Sequence, residues 1–196
     1  MAIKEALADN HNSTFCPNCL SSNVGLATGM RWLFLVVAIV LWGGGAFAAV
    51  GPWQGRTAAF FGVTYLDTSI EGEINGPRAD EAARVLLVQD ELASALRAHG
   101  LILVDLQPVA EKLARMGNLA DCNGCDVRMA ETLGADYAVL AQVQKVSNLI
   151  QSMNVVVRDA RTGQVVRALS VGLRGNTDEA WLRAMRYILE HGIFKE

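Results

Sequence analysis

Between Gly134 and Thr177 apolar and polar residues alternate with a period of two, in three successive runs. Val139, Ala141 and Val143 alternate with Leu140, Gln142 and Gln144. Met153, Val155 and Val157 alternate with Ser152, Asn154 and Arg158. Val165, Leu169, Val171 and Leu173 alternate with Ala168, Ser170 and Arg174. Side chains of a strand point to opposite faces in turn, so the pattern predicts three antiparallel strands with one apolar and one mixed face. Asp159-Ala160-Arg161-Thr162-Gly163, a short polar loop with glycine near its end, joins the last two as a hairpin. Phe60 to Leu66, rich in aromatic and β-branched residues, predicts an earlier, mostly buried strand. Leu101 to Val104, apolar throughout, predicts one buried on both faces.

Between these strands the period lengthens to that of a helix. Ala82, Val85, Leu86, Gln89, Leu92, Ala93 and Leu96 recur every three or four residues, which predicts a helix over 78–98 that stops at Gly100. The preceding IEGEINGPR, with Gly72, Gly76 and Pro77, reads as a loop. Pro108 suits the first turn of a short helix to Met116. A further short helix runs from Asp126 to Leu133. The last begins with Asn176 as N-cap and Glu179 as its capping-box partner, carries the stripe Trp181, Ala184, Met185, Ile188 and Leu189, and stops at Gly192. The order β-α-β-α-α-β-β-β-α predicts an α/β (α+β) fold: a mixed sheet with a C-terminal three-strand antiparallel meander and helices packed on one side.

The chain before this domain reads as an address. Residues 32–42 are an unbroken apolar run after Arg31, followed by Ala46-Phe47-Ala48. A positive start, such a run and an A-x-A site make 30–48 a signal peptide cleaved after Ala48. Extended through the glycines to Val50, the run approaches the roughly 20 residues of a membrane anchor. Both readings put the following domain in the periplasm, with membrane contact only through 32–50 if it is not cleaved. Met30 makes the better start codon, so residues 1–29 read as disordered or as an over-extended gene start. Cys16 and Cys19 are half of a zinc site, with His11 the one nearby third ligand and no structure the default. Residues 49–58 read as a flexible lead-in, and 59–196 as the domain proper.

A net charge of −3 over 196 residues, with no cluster of lysine and arginine, argues against a nucleic-acid groove. No P-loop, dinucleotide fingerprint, nucleophile elbow or histidine-rich metal motif occurs, so no cofactor is implied and nothing positive supports an enzyme.

Leu133-Gly134-Ala135-Asp136-Tyr137, the segment from Val157 to Val165 and the closing amphipathic helix resemble the N-terminal domain of the TolB translocation protein and the related domain of CsgG-type and penicillin-binding-protein activator lipoproteins, over roughly residues 60–194. More closely, Gln144-Lys145-Val146-Ser147-Asn148, the run from Arg174 to Glu179 and the Asp121-Cys122-x-x-Cys125 loop are similar to a bacterial family catalogued as a domain of unknown function. The resemblance implies a small envelope domain that works through protein contacts. The resemblance is to the N-terminal domain of TolB and does not extend to its β-propeller, so nothing of the propeller is expected to carry over.

Candidate sites follow from the residues. In an oxidising compartment Cys122 and Cys125 are most simply a disulfide; a redox pair or a metal site with Asp121 or Asp126 are the alternatives. Asp67, Ser69 and Asp105 each follow a strand. If those strands are parallel neighbours, they share the sheet edge where α/β folds place ligands. Gln144, Lys145 and Asn148 form a polar strand end that could be a recognition edge, and Arg174 could hold an anionic group. The reading is of a non-enzymatic envelope domain that binds an envelope protein partner. The alternative is a thiol-disulfide or small-ligand or metal-binding module centred on Cys122 and Cys125.

Overall fold

The computed structural model describes residues 51–195. Its sheet has five strands: β1 (Thr57–Asp67), β2 (Ile102–Leu103), β3 (Tyr137–Lys145), β4 (Gln151–Asp159) and β5 (Val165–Leu173). Their order is β2-β1-β3-β4-β5. β1 is parallel to both β2 and β3, whereas β3, β4 and β5 are the expected antiparallel meander. The helices are α1 (Ile70–Asn75), α2 (Ala79–Ala98), α3 (Ala110–Ala114), α4 (Cys125–Thr132) and α5 (Asp178–Ile188), the last running into a π turn over Leu189–Ile193. The mixed α/β architecture is therefore as the periodicity predicts.

The alternating strands explain the core. Val139, Ala141 and Val143 of β3 and Met153, Val155 and Val157 of β4 are buried against Val88, Leu92 and Leu96 of α2 and Trp181, Met185 and Ile188 of α5. Each large apolar side chain buried there contributes about 1.5–3 kcal/mol, so these two helices are the main packing layer. On the opposite face, Ala130 of α4 packs with Ala59 and Ala138, and its Met129 packs beside Phe61 and Leu140. α4 thus covers one end of that face, and small residues let it approach the sheet closely.

Several local expectations are corrected. Segment 70–78 is not all loop: Ser69 Oγ accepts a hydrogen bond from Gly72 N at 3.0 Å and caps the short helix α1. Leu101 to Val104 is not buried on both faces. β2 is a two-residue edge strand with Ile102 more than half exposed. The lead-in is ordered from Trp53, which is buried and packs edge-on against Tyr137 and Phe194, with ring centroids 5.3 and 6.1 Å away. The N-cap of α5 is Thr177 rather than Asn176, since Thr177 Oγ1 accepts from Ala180 N at 3.2 Å. Asn176 is engaged elsewhere. Gly192 does not end the helix by its backbone freedom. It lies inside the π turn against Leu169 of β5, where a Cβ would come within 2.5 Å of the Leu169 Cβ.

β1 carries a bulge at Phe61-Gly62, where two residues face Leu140 alone. Gly62 takes φ +82° there, and Val63 N donates to Gln89 Oε1 at 3.2 Å. The extra residue reverses the alternation, so that Val63, Tyr65 and Asp67 all face α2 rather than the opposite side. The expected signal peptide and its cleavage at Ala48, like the Cys16/Cys19 pair, lie outside the described residues.

Candidate functional site

At the end where β1 and β3 finish side by side, Asp67 pairs with Lys145. Lys145 follows Val139, Ala141 and Val143 in the apolar register of β3, so the strand itself carries its ammonium into the interior. Its side chain is fully withdrawn from solvent, 2.7 Å from Glu81 Oε1, 3.2 Å from Asp67 Oδ2 and 4.0 Å from Glu71 Oε2. A buried ammonium is tolerated only when paired, and here three acids surround it. Burial alone would lower the Lys145 pKa, but the hydrogen bonds to Glu81 and Asp67 outweigh it and raise the pKa above its ordinary value. Burial alone would likewise raise Asp67. Hydrogen bonds from the Ser69 hydroxyl and backbone N–H, and from Lys145, hold it below the usual carboxylate range.

Ser69 does two things at once. Its hydroxyl donates to Asp67 Oδ1 at 2.5 Å while it accepts from Gly72 N, which fixes α1 to the end of β1. Asn148, in the turn between β3 and β4, donates to Glu71 of α1. Asn176 donates from Nδ2 to Glu81 Oε1 at 2.6 Å and accepts at Oδ1 from Arg84 Nη1 at 2.8 Å. Arg84 in turn donates to Asp178 at 2.9 Å and to Asp80 at 2.8 Å. The network therefore joins β1, α1, α2, β3, the β3–β4 turn and the start of α5. The Tyr65 hydroxyl lies beneath it, buried and without a hydrogen-bond partner. Burial, with the Glu81 and Asp67 carboxylates nearby, pushes its pKa far up.

Large apolar side chains are exposed on two segments that the network joins. Ile70 and Ile74 of α1, and Val146, Leu149 and Ile150 of the β3–β4 turn, are all more than half exposed. A groove of about 820 Å³ opens beside them, between Val63, Tyr65 and Asp67 of β1 and Ala82 and Val85 of α2, with Pro77 and Arg78 at its lip. β2 ends at Leu103, opposite Ala58, so the outer edge of β1 along this groove has no strand beside it. Within the network two cations, Lys145 and Arg84, face five carboxylates, those of Asp67, Glu71, Glu81, Asp80 and Asp178. The contacts of Glu71 with Asn148 and Lys145 tie α1 to the β3–β4 turn.

Of the residues singled out in the sequence, Asp67, Ser69, Lys145 and Asn148 come together here. Gln144 is one residue away on β3 but belongs to the opposite face, opposite Leu66 and Ser152. Arg174 follows β5 beside Leu149 and Ile150 and forms no ion pair among the described residues. Asp105 does not join them although β1 and β2 are parallel neighbours. β1 runs on from the level of Asp105 to Asp67 by roughly 20 Å, at about 3.3 Å per residue, and Asp105 Oδ1 accepts from Gln107 N at 3.1 Å as a loop cap. Sequence reasoning missed Glu71, Glu81, Arg84 and Asn176. The one available signal was Lys145 itself, a charge in the apolar register of a strand.

On the opposite face of the sheet, in the cluster that holds Met129, Phe61 and Leu140, Cys122 and Cys125 stand at disulfide distance, with Cα atoms 5.5 Å apart. Arg128 Nη2 lies 3.1 Å from Cys125 Sγ. Among the described residues no group of three His, Cys, Asp or Glu could hold a metal ion, and no helix is long and apolar enough to cross a membrane.

Among solved structures the chain is similar to the LpoB C-terminal domain from Salmonella enterica, at 16% identity over 63% of this chain and 86% of that one, with a TM-score of 0.45. It is similar to lipoprotein GNA1162 from Neisseria meningitidis at 18% identity over 63% and 83%, TM-score 0.43. It is also similar to the PelC dodecamer from Paraburkholderia phytofirmans at 11% identity over 69% and 86%, TM-score 0.38. No curated protein matches it. Residues 56–193 match the family DUF3280, described as protein of unknown function (DUF2380), and the chain belongs to that family.

Proposed function

We propose that this is an exported, non-enzymatic envelope domain that docks a protein partner through the apolar end of its sheet. The observation that carries the reading is the exposed set Ile70, Ile74, Val146, Leu149 and Ile150 on two separate segments. Soluble monomers rarely leave large contiguous apolar patches uncovered, and such patches mark interaction sites. Two short segments could drift apart. Here Asn148 donates to Glu71, and Lys145 lies below both, so the patch is held in one arrangement before any partner arrives. Such preorganisation lowers the ordering cost of association. The apolar run at 32–42 with its A-x-A site supports the periplasmic assignment.

The reading is tested by placing a photocrosslinking residue at position 149 in the full chain, expressed in its own cells. A discrete adduct is expected there, lost when Ile74 is also changed to Ser, and absent from the same probe at position 161 in the β4–β5 turn. Equal adducts at 149 and 161, or none at 149, overturn it. Fractionation of the same cells tests the export: the chain is expected in the periplasmic or membrane fraction, and recovery in the cytosol refutes it.

A further inference from the structure

Cys122 and Cys125 are unlike each other in a way that a simple turn staple does not require. Cys122 caps the 3-10 turn over Leu119–Asp121 and is partly exposed, whereas Cys125 opens α4 and is buried. Arg128, one turn further along, places Nη2 at 3.1 Å from Cys125 Sγ, while its Nη1 donates to Asn123 O at 3.0 Å. The backbone between the two cysteines therefore holds the guanidinium against the inner sulfur. Gly124, in the left-handed region at φ +75°, lets the chain turn tightly enough for this.

Two positive influences thus converge on Cys125: the Arg128 cation and the N-terminal end of α4, whose first amides have no helical acceptor. A sulfur in a disulfide bears no charge and gains little from either. A thiolate gains from both. The nearest buried acid, Asp126, faces the interior, with Oδ2 3.7 Å from Arg158 Nε.

We infer that Cys122–Cys125 is an exchangeable disulfide that accepts two electrons from a reduced protein dithiol. The incoming thiolate attacks the exposed Cys122 Sγ. A new sulfur–sulfur bond forms there, the Cys122–Cys125 bond breaks, and its electron pair leaves on Cys125 as a thiolate beside Arg128. The second thiol of the same substrate, as thiolate, then attacks the substrate sulfur in the mixed disulfide and releases Cys122. The substrate departs oxidised. The chain keeps two reduced cysteines, and the two protons lost by the substrate thiols balance them. A stabilised leaving thiolate both speeds the first step and favours the reduced product.

The test uses the full oxidised chain in glutathione buffers of graded ratio, followed by acid quench, alkylation and peptide mass analysis of the fragment that holds residues 122 and 125. Half-reduction at a modest excess of reduced glutathione is expected. Cys125→Ser is expected to trap glutathione as a mixed disulfide on Cys122. Arg128→Gln is expected to shift the equilibrium toward the disulfide by roughly fivefold, the size of one charge contact at a helix end, and Arg128→Lys to restore most of the shift. A pair that stays oxidised at every ratio, or an Arg128→Gln chain with the original equilibrium, overturns the inference.

Discussion

The Lys145 ammonium lies 2.7 Å from the Glu81 carboxylate, and both side chains are almost wholly buried although the residues are 64 apart in sequence. A pair so placed is costly to break from one side. Lys145→Met leaves the buried Glu81 and the partly buried Asp67 without the Lys145 cation and is expected to destabilise the domain by about 3–5 kcal/mol. The double change Lys145→Met with Glu81→Leu is expected to cost less than the sum of the two single changes, since it removes the stranded charge. Urea unfolding of the four chains measures both; strict additivity would mean the pair is not coupled.

Stability is expected to fall at both ends of the pH scale. Asp136 accepts from Thr57 N at 2.8 Å and from Thr57 Oγ1 at 2.9 Å. These bonds, with Arg56 nearby, hold its pKa below the usual range against the opposing effect of burial. Asp67 is depressed as well. A depressed carboxylate stabilises fully above its unfolded pKa of about 3.9, and that contribution is lost as pH falls through the folded value. Unfolding free energies measured from about pH 6 to about pH 2.5 should therefore drop below about pH 4. Asp136→Asn should start lower and drop less; an unchanged slope would remove Asp136 from the account.

Lys145 and Tyr65 are among the groups whose pKa is raised, and they are the two with unfolded values near pH 10. Each stabilises fully below its unfolded pKa, about 10 for both types, and the contribution fades as pH rises from there toward the folded value. Tyr65→Phe is expected to flatten the loss above about pH 10. A thermal melt series in alkaline buffer reads this directly.

Gly192→Ala places a methyl into Leu169, with contacts of 2.5 and 2.9 Å to Cβ and Cδ2. Overpacking of this kind costs about 1–3 kcal/mol. Because the shortest contact is to the Leu169 Cβ, Leu169→Gly is expected to make Gly192→Ala cost less than it does with Leu169 in place, whereas a glycine needed only as a helix stop would show no such coupling.

Thr177→Ala removes the hydroxyl that accepts from Ala180 N and is expected to cost about 1 kcal/mol. Asn176→Ala acts differently. It frees Glu81 and Arg84 from their shared bridge, so its effect should shrink in a Glu81→Gln background, while that of Thr177→Ala should not.

The parts of the fold legible in the sequence are those set by neighbours along the chain. The alternation through Val139, Val143, Met153, Val155 and Val157 announces the meander, and the stripes through Leu92, Leu96, Trp181 and Met185 announce the two packing helices. Helix α1 stayed hidden because Gly72, Gly76 and Pro77 mask a segment whose folding depends on the Ser69 cap. The polar network was half legible. Asp67, Ser69, Lys145 and Asn148 stand out as strand-end residues. Glu81 and Arg84 look like ordinary surface charges on α2, and only the pairing of β1 with β3 and the return of Asn176 bury them. The bulge at Gly62 was likewise invisible, and it decides which face Tyr65 and Asp67 occupy.

The parallel pairing of β1 with β3 also governs how the chain acquires its structure. The centre of the sheet joins Ala58 to Tyr137 and Asp67 to Lys145, across nearly eighty residues. Only two residues of β2 are available to β1 before then. A strand whose main partner is made so late cannot nucleate folding by itself, and non-local pairing of this sort slows the search for the native state. β1 is thus expected to wait without its main partner until β3 has been made, while the local contacts of α2 can form earlier.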